Sequence, residues 1–275
     1  MSAYRLLHGL LKCLLFMLSL VGSLSVAWTG AFGQEGEIIR LLTYHNHPPF
    51  VTGPEQGVSY DLARMLTRFS AGRWNFQVRI VPRSRLDLEL APWIQGRCFG
   101  EKRVDDPACH DDWSVMWVNP SWGFGAGTGT TFRWVNLFED ANAIISLKDA
   151  AVDYQSPESL VGLRFGGMRG HHYLGLDPLI TAGRIQRIDG DHERENLVKL
   201  LMKRLDAVLL PESTTRYFLT RDDLLSKSAD RFFIAPVRHQ RFWRQLMIPP
   251  TRDDLETLFQ RWLATGAFPK EVTGE

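Results

Sequence analysis

A chain of 275 residues, 44% hydrophobic and 11% aromatic, has enough apolar surface to build a folded core, as one large domain or as two small lobes. Its 32 basic and 31 acidic side chains leave a formal charge of +1. So near-neutral a balance excludes the basic footprint that nucleic acid or an anionic membrane surface requires.

Residues 1–33 read as a secretory signal peptide. Arg5, His8 and Lys12 precede an uncharged apolar run over 14–26, and small residues follow at Ser25-Val26-Ala27 and at Ala31-Phe32-Gly33. A membrane anchor is the competing reading, because 10–28 approaches a spanning length. Lys12 interrupts that run and no basic stop-transfer cluster follows it, so cleavage and export to the periplasm are expected. Arg5 and Lys12 are the only formal charges in this segment, which leaves −1 on the rest of the chain.

The remaining pattern alternates strand and helix. Residues 38–44 read as a buried strand ended by His-Pro-Pro. Residues 57–70 read as a helix with Leu62, Met65, Leu66 and Phe69 on one face. A strand over 76–81 stops at Pro82, and a short helix over 85–94 is expected to break near Pro92. Residues 96–112 look like a loop, 113–118 a strand, and the glycine-rich stretch at 123–129 a flexible connection. A second run starts with a strand over 142–146 and a one-turn helix over 157–160, where Ser156 and Pro157 suit the cap and first positions. Strands follow at 163–167, 185–188, 206–210, 232–236 and 242–248. Helices are expected from Gly170 to about Ala182, over 193–203, over 212–225 and over 252–265. Short links between such elements point to parallel βαβ units, and the one interruption favours two α/β lobes over one continuous sheet.

Of the three cysteines, Cys13 departs with the signal. In an oxidising compartment Cys98 and Cys109 are expected to form a disulfide. His110 beside them leaves a zinc site as a weak alternative, since no second ligand pair accompanies it.

The order of several short motifs resembles the bacterial periplasmic solute-binding proteins of the amino-acid-binding type. Pro48-Pro49-Phe50 followed by Gly57-Val58-Ser59-Tyr60-Asp61-Leu62 resembles the family's start. Thr130 to Arg133 resembles its Thr-x-x-Arg segment. The stretch from Leu160 to Gly166, then Arg204-Leu205-Asp206-Ala207-Val208, resembles parts of its second lobe. Leu258 to Phe268 resembles its last helix and turn. The resemblance implies a type II fold of two α/β lobes, each a mostly parallel sheet flanked by helices. Two crossing strands join them: lobe 1 holds 34–142 and 241–275, and lobe 2 holds 143–240. It also implies a monomer that closes by a hinge on a small ligand in the cleft, with a membrane permease or sensor as partner and without a cofactor.

On that resemblance Arg133 is the candidate for a two-pronged grip on a ligand carboxylate, although the spacing to Phe138 is one residue short. A surface arginine beside Trp134 is the alternative. Gly170 and His171, at a strand end opening a helix, offer backbone N–H groups for an anion, with Arg169 adding charge. His171 stands where the family carries a threonine or serine. Pro211 stands where amino-acid binders carry the aspartate that meets the ligand's ammonium. Glu212 is the nearest substitute, or an ordinary first-turn glutamate facing water. Tyr44, Phe50, Tyr60 and Trp122 lie on or beside the loops expected to face the cleft, where rings pack against a ligand or simply fill the core.

A binding protein rather than an enzyme is the expectation. A periplasmic dehydratase-like enzyme on the same scaffold is the rival, with Glu212 and His171 as its acid–base pair. A sensory module that has lost transport is a third reading. No metal site is expected, because adjacent His171 and His172 on a helix would point about 100° apart.

Overall fold

The computed structural model describes residues 36–99, 106–124, 132–269 and 272. The expected signal peptide and most of the glycine-rich connection, Thr130 included, lie outside them. In chain order the elements are β1 (Glu37–Thr43), α1 (Val58–Phe69), β2 (Trp74–Ile80), α2 (Arg83–Ile94), β3 (Trp113–Val118) and β4 (Arg133–Leu147). Then come β5 (Arg164–Met168), α3 (Asp177–Thr181), β6 (Gln186–Gly190), α4 (Glu193–Leu201) and β7 (Ala207–Pro211). The chain ends with α5 (Glu212–Arg221), β8 (Phe232–Ile234), β9 (Gln240–Ile248) and α6 (Asp253–Leu263).

The strands run in the order β2-β1-β3-β9-β4-β7-β5-β6, with β8 pairing β4 off that path. β1 pairs in parallel with β2 and β3, and β5 pairs in parallel with β6 and β7, as βαβ units require. Between these two groups β4 and β9 run antiparallel from Arg133↔Ile248 to Asn142↔Gln240. Asn142 also pairs with Pro211 of β7, so pairing passes from the first group to the second at that residue. The result is two α/β lobes joined by two crossing strands.

Each lobe covers both faces of its strands, because successive side chains in a strand point to opposite sides. Ile39 and Leu41 of β1 pack with Leu62 and Leu66 of α1 and Phe259 of α6, while Leu42 packs with Leu86, Leu90 and Trp93 of α2. In the second lobe Leu209 faces Tyr154, Leu160 and Phe165, and Val208 faces Leu197, Leu200 and Phe218. α1 turns Val58, Leu62 and Leu66 inward, one residue per turn, as an amphipathic helix should. The Cys98–Cys109 disulfide is formed and buried against Trp93 and Trp113.

Three expectations need correction. The helix expected to break near Pro92 runs through that residue to Ile94. The strand expected at 142–146 is the end of a strand that starts at Arg133, because the crossing segment is paired with β9 along its polar half as well. The helix expected from Gly170 begins only at Asp177 and spans five residues. Gly170 (φ 77°) and Gly175 (φ 76°) both adopt left-handed backbone, which breaks a helix on either side of His171 and Tyr173. Pro178 then suits the first turn, where its missing N–H costs nothing.

Candidate functional site

After β1 the chain turns through residues 44–50 before entering α1. The Thr43 hydroxyl accepts the His45 N–H, and the Val58 and Ser59 amides donate to the carbonyls of Pro49 and Phe50. This fold-back needs Gly57: its φ is 108°, and a Cβ there would lie 2.6 Å from the Phe50 carbonyl oxygen. Facing this loop from the second lobe, β6 ends at Gly190 and α4 starts at Glu193. Asn196 of α4 donates to the Gly167 carbonyl and ties the helix to β5.

Between the two lies a cavity of about 410 Å³. Asn46, His47 and Pro48 line it from the first lobe, and the start of α4 from His192 to Glu195 lines it from the second, with Val198 and Phe218. His47 bridges the lobes: its Nε2 is 3.9 Å from Glu193 Oε1, and its Nδ1 is 3.0 Å from the Pro48 carbonyl and 3.4 Å from Thr214 Oγ1. Glu193 is only 8% exposed. Arg194 is held by Asp222 at 2.6 Å, and Glu195 by Lys199 at 2.7 Å.

Beside the cavity a buried cation spans the crossing strands. Arg244 of β9 and Asp140 of β4 pair at 3.1 Å, their side chains 2% and 1% exposed. Asp140 also accepts from the Ser213 hydroxyl and N–H at the start of α5, and Arg244 donates to the Trp117 carbonyl. Trp117 has φ 67°, unusual for a bulky residue, and interrupts the β3–β9 register where that carbonyl meets the guanidinium. The guanidinium lies over the rings of Phe50, Trp122 and Phe242 at about 5 Å.

Electrostatics follow from burial. His45 is held well below the ordinary histidine value of 6.5, chiefly because burial opposes its charge and then because Arg244 is near. His47 and His171 are lowered for the same first reason, against the pull of the Glu193 carboxylate. Burial raises the Tyr44 hydroxyl. Near neutral pH the three imidazoles are therefore uncharged acceptors or donors, not cations.

The residues picked out from the sequence separate into groups. Tyr44, Phe50 and Trp122 gather around His45, with ring centroids 4.3, 5.4 and 6.0 Å from it. His171 is close enough to His45 and His47 for each charge to act on the other. Tyr60 is half-buried in the first turn of α1. Arg169 is exposed and bonded to Asp191, and without a helix at Gly170 the expected anion cradle is not formed there. Glu212 is paired with Arg238. Arg133 grips Glu256 at 2.6 Å and the Pro250 carbonyl at 2.9 Å, so its fork is filled from α6 and the turn before it. Sequence reasoning missed His45, His47, Asp140, Glu193 and Arg244. Arg244 carried a usable signal, a charge within the largely apolar 242–248 run; Asp140 carried little, since Glu139 and Asn142 make its surroundings polar. Glu193 carried none, since an acid in a first helical turn is ordinary. Among the described residues no group of three or more His, Cys, Asp or Glu is arranged to hold a metal ion.

No protein-family model and no curated protein matches the chain. Solved structures do. A mutant of the arginine-binding protein from T. maritima aligns at TM-score 0.55 and 16% identity, covering 86% of this chain and 96% of that one. The GluR0 ligand-binding core in complex with L-glutamate aligns at 0.55 and 14%, covering 83% and 91%. An ancestral amino-acid-binding protein, a precursor of cyclohexadienyl dehydratase, aligns at 0.53 and 16%, covering 85% and 93%. At these identities the likeness establishes the fold: a two-lobed type II periplasmic-binding architecture.

Proposed function

Taking that two-lobed architecture as the premise, we propose that the chain is a periplasmic solute-binding protein that captures a small polar molecule between its lobes and presents it, as a monomer, to a membrane permease or sensor. One observation carries the reading: the cavity of about 410 Å³ is walled by a loop of one lobe and a helix start of the other. Its size suits a small metabolite, and a site shared between lobes gives a ligand the differential contacts that favour the closed state. The alignments with amino-acid-binding proteins support it. A thermal-shift screen with amino acids, polyamines and small dicarboxylates tests it. A ligand at a hundred times its Kd should stabilise the fold by about 2.7 kcal/mol and raise the melting temperature by several degrees. No shift with any member of the screen would count against solute capture.

A second reading, an enzyme on this scaffold, is favoured by one feature: His47 and Glu193 face each other across the cavity as an acid–base pair. The likeness to a precursor of a dehydratase is compatible with it. Turnover of a screen compound without added cofactor would establish this reading in place of pure binding.

A further inference from the structure

We infer that the cleft selects a solute bearing a positively charged nitrogen group, an ammonium or guanidinium, and that Glu193 is the residue that meets it. The inference rests on the solute-binding reading above and names the chemistry of the same site.

The starting observation is an unmatched charge. Glu193 lines the cavity and is 8% exposed, yet among the described residues no hydrogen bond reaches its carboxylate. Its nearest charge partner is His47 Nε2 at 3.9 Å, beyond hydrogen-bond reach. A carboxylate removed from water to this extent needs a cation or several donors to offset its desolvation. The positive end of α4, in whose first turn Glu193 stands, offsets part of that cost, but no described side chain supplies a close cation. Burial lowers His47 and His171, which leaves both imidazoles neutral near pH 7. Arg194, the adjacent cation, has its guanidinium on both oxygens of Asp222, at 2.6 and 3.3 Å. Glu195, the other acid on this wall, is matched by Lys199 and by the Asp191 N–H. Glu193 is thus the one acid lining the cavity whose charge is not neutralised by a close basic partner among the described residues.

The rest of the cavity fits the same ligand chemistry. Phe218 and Val198 offer an apolar wall to a carbon chain, and Asn46 an amide that can donate or accept. The sequence places no acid at Pro211, and the structure engages Glu212 with Arg238, so neither is free to receive a cation. Glu193 reaches the inter-lobe space from a different element, the first turn of α4. A ligand carboxylate, by contrast, would approach a buried like charge, and the arginine expected to receive it, Arg133, is bonded to Glu256.

The test uses the full chain and its Glu193→Gln and Glu193→Asp variants, with binding measured by calorimetry. The probes are agmatine and putrescine, which carry cations without a carboxylate, L-arginine, which carries both, and glutarate, which carries carboxylates alone. Agmatine or putrescine should bind the wild type, glutarate should not, and Glu193→Gln should weaken the cationic probe at least tenfold. Glu193→Asp, which keeps the charge, should retain more of the affinity than Glu193→Gln. The melting temperature of unliganded Glu193→Gln should equal or exceed that of the wild type, since an unmatched buried charge has been removed, and this reports that the variant is folded. Binding of glutarate without any cationic probe, or equal affinity of Glu193→Gln and wild type for agmatine, would overturn the inference and leave solute capture standing. Failure of all four probes together with a blank thermal-shift screen would remove the solute-binding reading itself.

Discussion

Asp140 is a single carboxylate asked to serve both crossing strands and the second lobe. It accepts from Arg244 of β9 and from the hydroxyl and N–H of Ser213, while itself standing on β4. Replacing a buried pair with apolar residues can be neutral, but removing one partner leaves the other charge stranded at about 3–5 kcal/mol. Asp140→Ala should therefore lower the unfolding free energy by about 3–5 kcal/mol in a urea titration. A loss below about 1 kcal/mol would mean that Arg244 finds another partner and that the pair does not secure the hinge. Residues of this kind were only half legible in the sequence. Arg244 stands out as a charge within an apolar run and Asp140, beside Glu139, does not; their pairing spans 104 positions and depends on the antiparallel β4–β9 register, which no local pattern encodes. Arg133 shows the opposite case: the motif around it is suggestive, and the actual partner, Glu256, is fixed by where α6 packs.

At the scale of elements, the loop between β1 and α1 brings His45 and His47 against the second lobe, within electrostatic range of His171. Each of the three has its proton affinity lowered in the fold, mainly by burial. The unfolded chain, with ordinary imidazoles near 6.5, then binds more protons than the native one as the medium is acidified. Stability should be flat above about pH 7 and should fall as pH drops through about 6.5 towards 5. Melting curves from pH 8 to 5 check this, and a His45→Gln/His171→Gln variant should show a shallower decline. A wild-type curve that is level down to pH 5 would contradict the lowered proton affinity of these rings. At lower pH still, once His47 takes up a proton in the native fold, positive charge stands beside Glu193 and affinity for a cationic solute should decline.

Most elements were readable because their periodicity is strong: the apolar stripe of α1 and the buried strands at β1 and β7 needed no tertiary information. α3 was misread because His171 to Ala182 contains helix formers, whereas the left-handed glycines at 170 and 175 decide the backbone there. β4 reads short in the sequence because a register shift between Asn136 and Phe138 breaks the alternation of its first half, which pairs with a strand about a hundred residues away. The disulfide was legible from the spacing of two cysteines and the export expected for the chain; its loop of about a dozen residues contributes on the order of 3 kcal/mol by restricting the unfolded chain.

For the whole molecule, the fold places a pair of lobes on two crossing strands and leaves a shared cavity on the line between them. Ligand capture by such an arrangement is a population shift: a solute that touches both walls favours the closed form by as much as its contacts differ between states. The cavity wall combines the start of α4, tied to β5 through Asn196, with a loop whose fold-back needs Gly57. Hydrogen–deuterium exchange of the full chain, with and without the most stabilising compound of the thermal-shift screen, tests this most directly. Exchange should slow in both the 45–50 segment of the first lobe and the 192–198 segment of the second. Slowing confined to one lobe, or to a surface remote from both segments, would contradict a ligand held between the lobes.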